Sequence, residues 1–155
     1  MKRNKFFRKV AMMMVGSLIL PAVALADIKM GIILGFTGPI ESLTPDMAGS
    51  AELAFKEASD SGNLLGGEKI IPVRADSTCI DAAAATTAAE RLVTAEKVAG
   101  IMGADCSGVT IAVANNVAVP NGIPMVSPSA TSPALSTISD NGYFFRTAPS
   151  DARQG

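Results

Sequence analysis

The sequence predicts an α/β fold, an open parallel sheet flanked by helices. Strand-like and helix-like segments alternate along most of the chain, turn residues punctuate them regularly, and no long linker or low-complexity block intervenes. That pattern is the mark of repeated βα units, in which each strand feeds a helix that returns across the sheet.

Each element can be justified in turn. The run IKMGIILGF, Ile28 to Phe36, is apolar but for Lys29 and suits a strand buried on both faces. After Thr37-Gly38-Pro39, a helix is expected from Thr44 to Gly62, with Thr44 as N-cap and Pro45 in the first turn. Met47, Ala51, Ala54, Phe55 and Ala58 recur on one of its faces. Strand two is IIPVRA, running into Asp76-Ser77-Thr78-Cys79. Helix two is DAAAATTAAERLVTAEK with Asp81 at its start, and its alanines permit close approach to the sheet. VAGIMGA is strand three, CSGVTIAVANNVAV helix three and GIPMVS strand four. A short helix near Pro133 to Ser139 precedes strand five, YFFRT, and Ser150 is placed to cap one further turn. A last helix of a single turn would leave one face of strand five uncovered. That points to the front part of a longer protein, a complete small domain with a frayed end being the alternative.

The first 26 residues stand apart. MKRNKFFRKV carries five cations, AMMMVGSLILPAVA is apolar, and Ala24-Leu25-Ala26 supplies small residues at a signal-peptidase site, so cleavage is expected after Ala26. The apolar run is shorter than the ~20 residues a membrane span needs, and Pro21 interrupts it. Five of the 13 basic residues belong to this leader, leaving eight against 14 acidic ones, a formal charge of −6 for residues 27–155. An acidic exported protein without a basic stripe argues against nucleic acid and anionic membrane surfaces as partners.

The chemistry is restricted by what the composition lacks. There is no histidine, and Cys79 and Cys106 are too far apart for a zinc pattern, so neither a metal site nor a cofactor is expected. A serine hydrolase would need a histidine base, and GADCSG is no nucleophile elbow. GFTGP after strand one is not a dinucleotide fingerprint, and no phosphate loop occurs. In an oxidising compartment the two cysteines favour a disulfide. Two free thiols are the alternative, and a free Cys106 at a helix N-terminus would leave a thiol enzyme open.

The polar clusters Thr37 to Pro39, Asp76 to Thr78, Asp105 to Gly108, Ser127 to Ser132 and Thr147 to Asp151 all fall at predicted C-terminal ends of strands. Parallel open sheets bind ligands at that edge, so the clusters should meet. From Cys106 to Ser139 there is no charged side chain, yet hydroxyls crowd the loop after strand four. Ser107, Ser129 and Thr131 are therefore candidates for holding a small zwitterion with neutral dipoles, which need no desolvated counter-charge. The alternative is a turn-rich connector with hydroxyls bonded to local backbone.

With these residues in hand, the chain resembles the type I periplasmic binding proteins of ABC uptake systems for branched-chain amino acids. The blocks that carry the likeness are IKMGIILGFTGPIESL, GGEKIIPVRADSTC, GADCSGVT, GIPMVSPSATSPALS and FFRTAPSDARQG, in that order. The resemblance implies a flavodoxin-like N-terminal lobe spanning residues 27–155, with a second lobe missing, and a non-catalytic, periplasmic protein. It implies that Ser107 and Gly108, with Ser129, Ala130 and Thr131, grip the ligand's carboxylate and ammonium, and that Cys79 and Cys106 form the family's disulfide. An ABC permease and its ATPase would be the partners of the full-length protein. An aromatic that often covers the ligand in such proteins is here Leu43, which leaves the solute open between a branched-chain amino acid and a related small polar molecule. The sensor lobe of a receptor is the runner-up.

Overall fold

The computed structural model describes residues 27–64 and 66–153, so the predicted leader and its cleavage site lie outside the described residues. Five strands, β1 (Ile28–Leu34), β2 (Ile70–Asp76), β3 (Gly100–Gly103), β4 (Met125–Ser127) and β5 (Phe144–Arg146), form one sheet. All pairings are parallel and the order is β2-β1-β3-β4-β5. Helices α1 (Thr44–Asp60), α2 (Ala82–Thr94) and α3 (Ser107–Val113) make the first three crossovers. The chain turns outward from β1 to β2 and then back to β3, which places the reversal of strand order between β1 and β3.

The side-chain alternation of β1 shows why its C-terminal half is apolar throughout. Ile32 and Leu34 pack with Ala48, Met47, Ala51 and Phe55 of α1, while Ile33 faces the opposite layer of Ala85, Ala89 and Leu92 from α2 and Val109 and Val113 from α3. Both faces are fully buried from Ile32 to Leu34, whereas Lys29 near the start of the strand is exposed and pairs with Glu96 at 3.0 Å. Ala85 and Ala89 of α2 are fully buried in the core on that face of the sheet, and Asp81 caps the helix by accepting from the amides of Ala83 and Ala84 at 2.9 and 3.0 Å. At the end of β3, Gly103 has φ +129°, and a Cβ there would lie 2.0 Å from the carbonyl oxygen of Ile33, so no other residue fits.

Several local expectations are corrected. Thr44 does not cap α1: it is fully buried, and its hydroxyl turns back to the carbonyls of Gly35 and Glu41 at 3.2 and 3.3 Å. The cap position falls to Leu43, which offers no side-chain acceptor, and Asp46 supplies the negative charge of the first turn. Ala54 is exposed and Ala48 is the buried alanine of that helix, because the packed face follows 44, 48, 51 and 55. Helix three remains α-helical only to Val113 and then widens into a π turn, Ala114–Ala118, where Val119 N–H donates to Ala114 O at 3.0 Å. The short helix expected near Pro133 is a 3₁₀ turn, Pro133–Ser136, and a second such turn, Asp151–Arg153, follows Ser150, whose hydroxyl accepts from Ala152 N–H at 3.3 Å.

The α1 side of the sheet thins towards β5. Val126 and Phe145 stand 38% and 55% exposed there, while their neighbours Met125 and Phe144 are buried on the other face. The bare face expected on strand five is present.

Candidate functional site

The five polar clusters do converge at the C-terminal edge of the sheet, joined by side-chain hydrogen bonds from one strand end to the next. Asp76, closing β2, accepts from the Thr37 hydroxyl at 2.6 Å and from the amides of Thr37 and Thr78 at 3.3 and 2.8 Å. Gly38 has φ +97°, and a Cβ on it would come within 2.4 Å of Thr78 O, so glycine lets the first two loops close on each other. Partial burial pushes the Asp76 carboxyl up, but the Thr37 hydroxyl and the two amides outweigh it and hold the group below its ordinary range. A carboxyl depressed by folding contributes stability that is present above its unfolded pKa and lost as pH falls through the folded value. Urea midpoints measured from pH 6 down to 2.5 should therefore fall with a shallower slope in Asp76→Asn than in the parent chain; identical slopes would refute the assignment.

Asp105 joins three strand ends. It is buried, 4% exposed, and accepts from Gly35 N–H at 2.7 Å, Ser77 Oγ at 3.3 Å and Cys106 N–H at 2.8 Å. Among the described residues it takes part in no ion pair. Cys106 beside it is bonded to Cys79, which ties the loop after β2 to the start of α3 and leaves no free thiol among the described residues. The thiol-enzyme alternative thereby loses its nucleophile.

Ser107, Ser129 and Thr131 lie together at the start of α3 and in the loop after β4. Ser107 Oγ accepts from the amides of Thr131 and Ser132 at 3.2 and 3.1 Å. Ser129 Oγ donates to Asp105 O at 3.0 Å, and Thr131 Oγ1 donates to Asp151 Oδ2 at 2.9 Å. Gly108 is exposed, with nothing within 4 Å of where a Cβ would stand, whereas Ala130 is buried and its amide donates to Ser127 Oγ at 3.0 Å. Leu43, 60% exposed, stands in the loop after β1 at the start of α1. The hydroxyls thus do bond to local groups, as the connector reading expects, and still keep outward capacity. Ser107 accepts twice and has no acceptor for its own hydrogen among the described residues; Ser129 and Thr131 spend their hydrogens inward and keep lone pairs.

Arg146 was not singled out by the sequence. From β5 its guanidinium donates to Ala130 O at 3.3 Å, Ser132 O at 2.9 Å and Ser136 Oγ at 2.6 Å. It holds the uncharged loop from behind. The one available signal was position: the alternation Phe144, Phe145, Arg146 turns the arginine to the buried face of Phe144.

The strand ends of a switch-point sheet thus meet in one cluster of hydroxyls, backbone amides and the carboxylates of Asp76, Asp105 and Asp151. The sequence profile of the periplasmic binding proteins matches residues 27–155, and the chain belongs to that family. It is 37% identical over 124 residues to the Leu/Ile/Val-binding protein homolog 7 of Brucella suis, covering 80% of this chain and 29% of that one. The branched-chain amino acid transporter substrate binding protein LivJ from Streptococcus pneumoniae, solved with isoleucine, superposes with a TM-score of 0.72 at 30% identity, covering 81% of this chain and 35% of that one. An ABC transporter solute binding protein from R. palustris, solved with benzoate, gives 0.69 at 27% identity, covering 80% and 33%. The chain therefore spans about a third of the length of these relatives.

Proposed function

We propose that this chain is the N-terminal lobe of an exported, non-catalytic solute-binding protein of an ABC uptake system, taking a branched-chain or related amino acid. The leader would be cleaved after Ala26 and the protein released into the periplasm, where a permease and its ATPase would receive the solute. A second lobe, supplied by further polypeptide, would close over the ligand.

The observation that carries this reading is the divided polarity of three neighbouring hydroxyls. Ser107 has a hydrogen to give to a carboxylate, and Ser129 and Thr131 have lone pairs to receive an ammonium. Relatives with bound isoleucine and bound benzoate support a carboxylate as the shared feature. The acceptor pair favours the amino acid over an aromatic acid, which would leave those oxygens unused.

One lobe offers half a site, so an affinity on the order of millimolar or weaker is expected for the 155-residue chain. Titration of the isotopically labelled chain with leucine, followed by amide NMR, should shift Ser107, Gly108 and Ser129 to Thr131. Benzoate should shift Ser107 and Gly108 alone. Shifts confined to the outer face of α1, or none at these five residues at saturating solute, would sink the reading.

A further inference from the structure

The stretch from Cys106 to Ser139 has no charged side chain, but one is brought to it across the fold. Arg146 donates to the carbonyls of Ala130 and Ser132, and the peptide that carries the first of these carbonyls also carries the Thr131 N–H that donates to Ser107 Oγ. The sequence of donors is continuous: guanidinium to Ala130 O, Thr131 N–H to Ser107 Oγ, and then the Ser107 hydrogen, which has no acceptor among the described residues. A cation at one end of a peptide unit polarises it and strengthens the donor at the other end. Arg146 forms no ion pair among the described residues, so its charge is not cancelled at this point by a carboxylate.

We propose that Arg146 is a positioning residue for an anionic group seated at Ser107, acting through the Ala130–Thr131 peptide rather than by contact with the solute. The planar fork fixes the loop by two carbonyls and a hydroxyl at once, and its charge reaches the anion's seat through two hydrogen bonds. This rests on the reading of Ser107 as a carboxylate donor. A lysine would keep the charge but engage the loop as a single point.

The experiment compares the parent chain with Arg146→Met and Arg146→Lys by amide hydrogen exchange and by NMR titration. Without any solute, the Thr131 and Ser132 amides should exchange about tenfold faster in Arg146→Met, with the β1 amides unchanged, and Arg146→Lys should fall between the two. Parent-like protection of Thr131 and Ser132 in Arg146→Met would overturn the proposal whether or not the chain binds anything. Should Arg146→Met lose protection throughout β1 as well, Arg146→Lys decides: selective loosening of Thr131 and Ser132 supports the role, and parent-like protection there overturns it. In the titration arm, affinity for leucine should drop about tenfold in Arg146→Met while that for leucinamide, which lacks the anion, stays within about twofold. Equal losses for both would reduce Arg146 to a merely structural residue. If the parent chain shows no shift with leucine, the solute reading fails, and the exchange arm still decides whether Arg146 fixes the loop.

Discussion

Replacing Asp105 with alanine is expected to cost about 2–6 kcal/mol of folding stability, because it strands two buried donors at roughly 1–3 kcal/mol each. The Gly35 amide and the Ser77 hydroxyl both lie in buried residues, and the carboxylate is the partner that reaches them. The Cys106 amide, less deeply buried, loses its partner too but can turn to water. The loss should appear as a lower urea midpoint at unchanged slope. Asp105→Asn should fall between parent and alanine variant, since its amide keeps one acceptor oxygen but turns an amino group towards a donor. A cost below about 1 kcal/mol for the alanine variant would mean that the strand ends are held together by something else.

Opening the Cys79–Cys106 bridge should come next in size. The cysteines are 27 residues apart in sequence, and releasing a loop of that length restores unfolded-state freedom worth about 3.5 kcal/mol. For a domain of this size that is a fall in Tm on the order of 10 °C, measured either with Cys79→Ala plus Cys106→Ala or by scanning with and without dithiothreitol. The native loop is not relaxed coil. Thr78 and Cys79 have φ of +57° and +70°, a region that side chains other than glycine rarely occupy, so the bridge opposes a local tendency to rearrange. A shift of less than about 2 °C would show that the Asp76 and Asp105 hydrogen bonds suffice to hold this corner.

The architecture was legible because it depends on period and punctuation. An apolar run interrupted only by Lys29 and bounded by turn residues pointed to a strand covered on both sides, and Ile32, Ile33 and Leu34 are fully buried. Asp81 was legible for the same reason: a cap acts on amides two and three residues away. Thr44 misled because its local context is that of a cap, while the tertiary fold carries its hydroxyl to Gly35. The π turn escaped because a widened helical turn leaves the same alanines and valines inside. The convergence of the strand ends followed from topology alone. What joins them did not. Asp105 reaches Gly35 across 70 residues and Arg146 reaches Ser132 across 14, and neither pairing leaves a trace in local pattern. The lack of charge from Cys106 to Ser139 was visible, but not that Arg146 would come from the last strand to stand behind it.

The cross-linked strand ends have a kinetic consequence. Loops fastened by Asp76, Asp105, Ser107 and Arg146 have surrendered their freedom before any visitor arrives. On the proposed function, first contact of a solute with this rim should be limited by its arrival, any slower step belonging to closure of the second lobe.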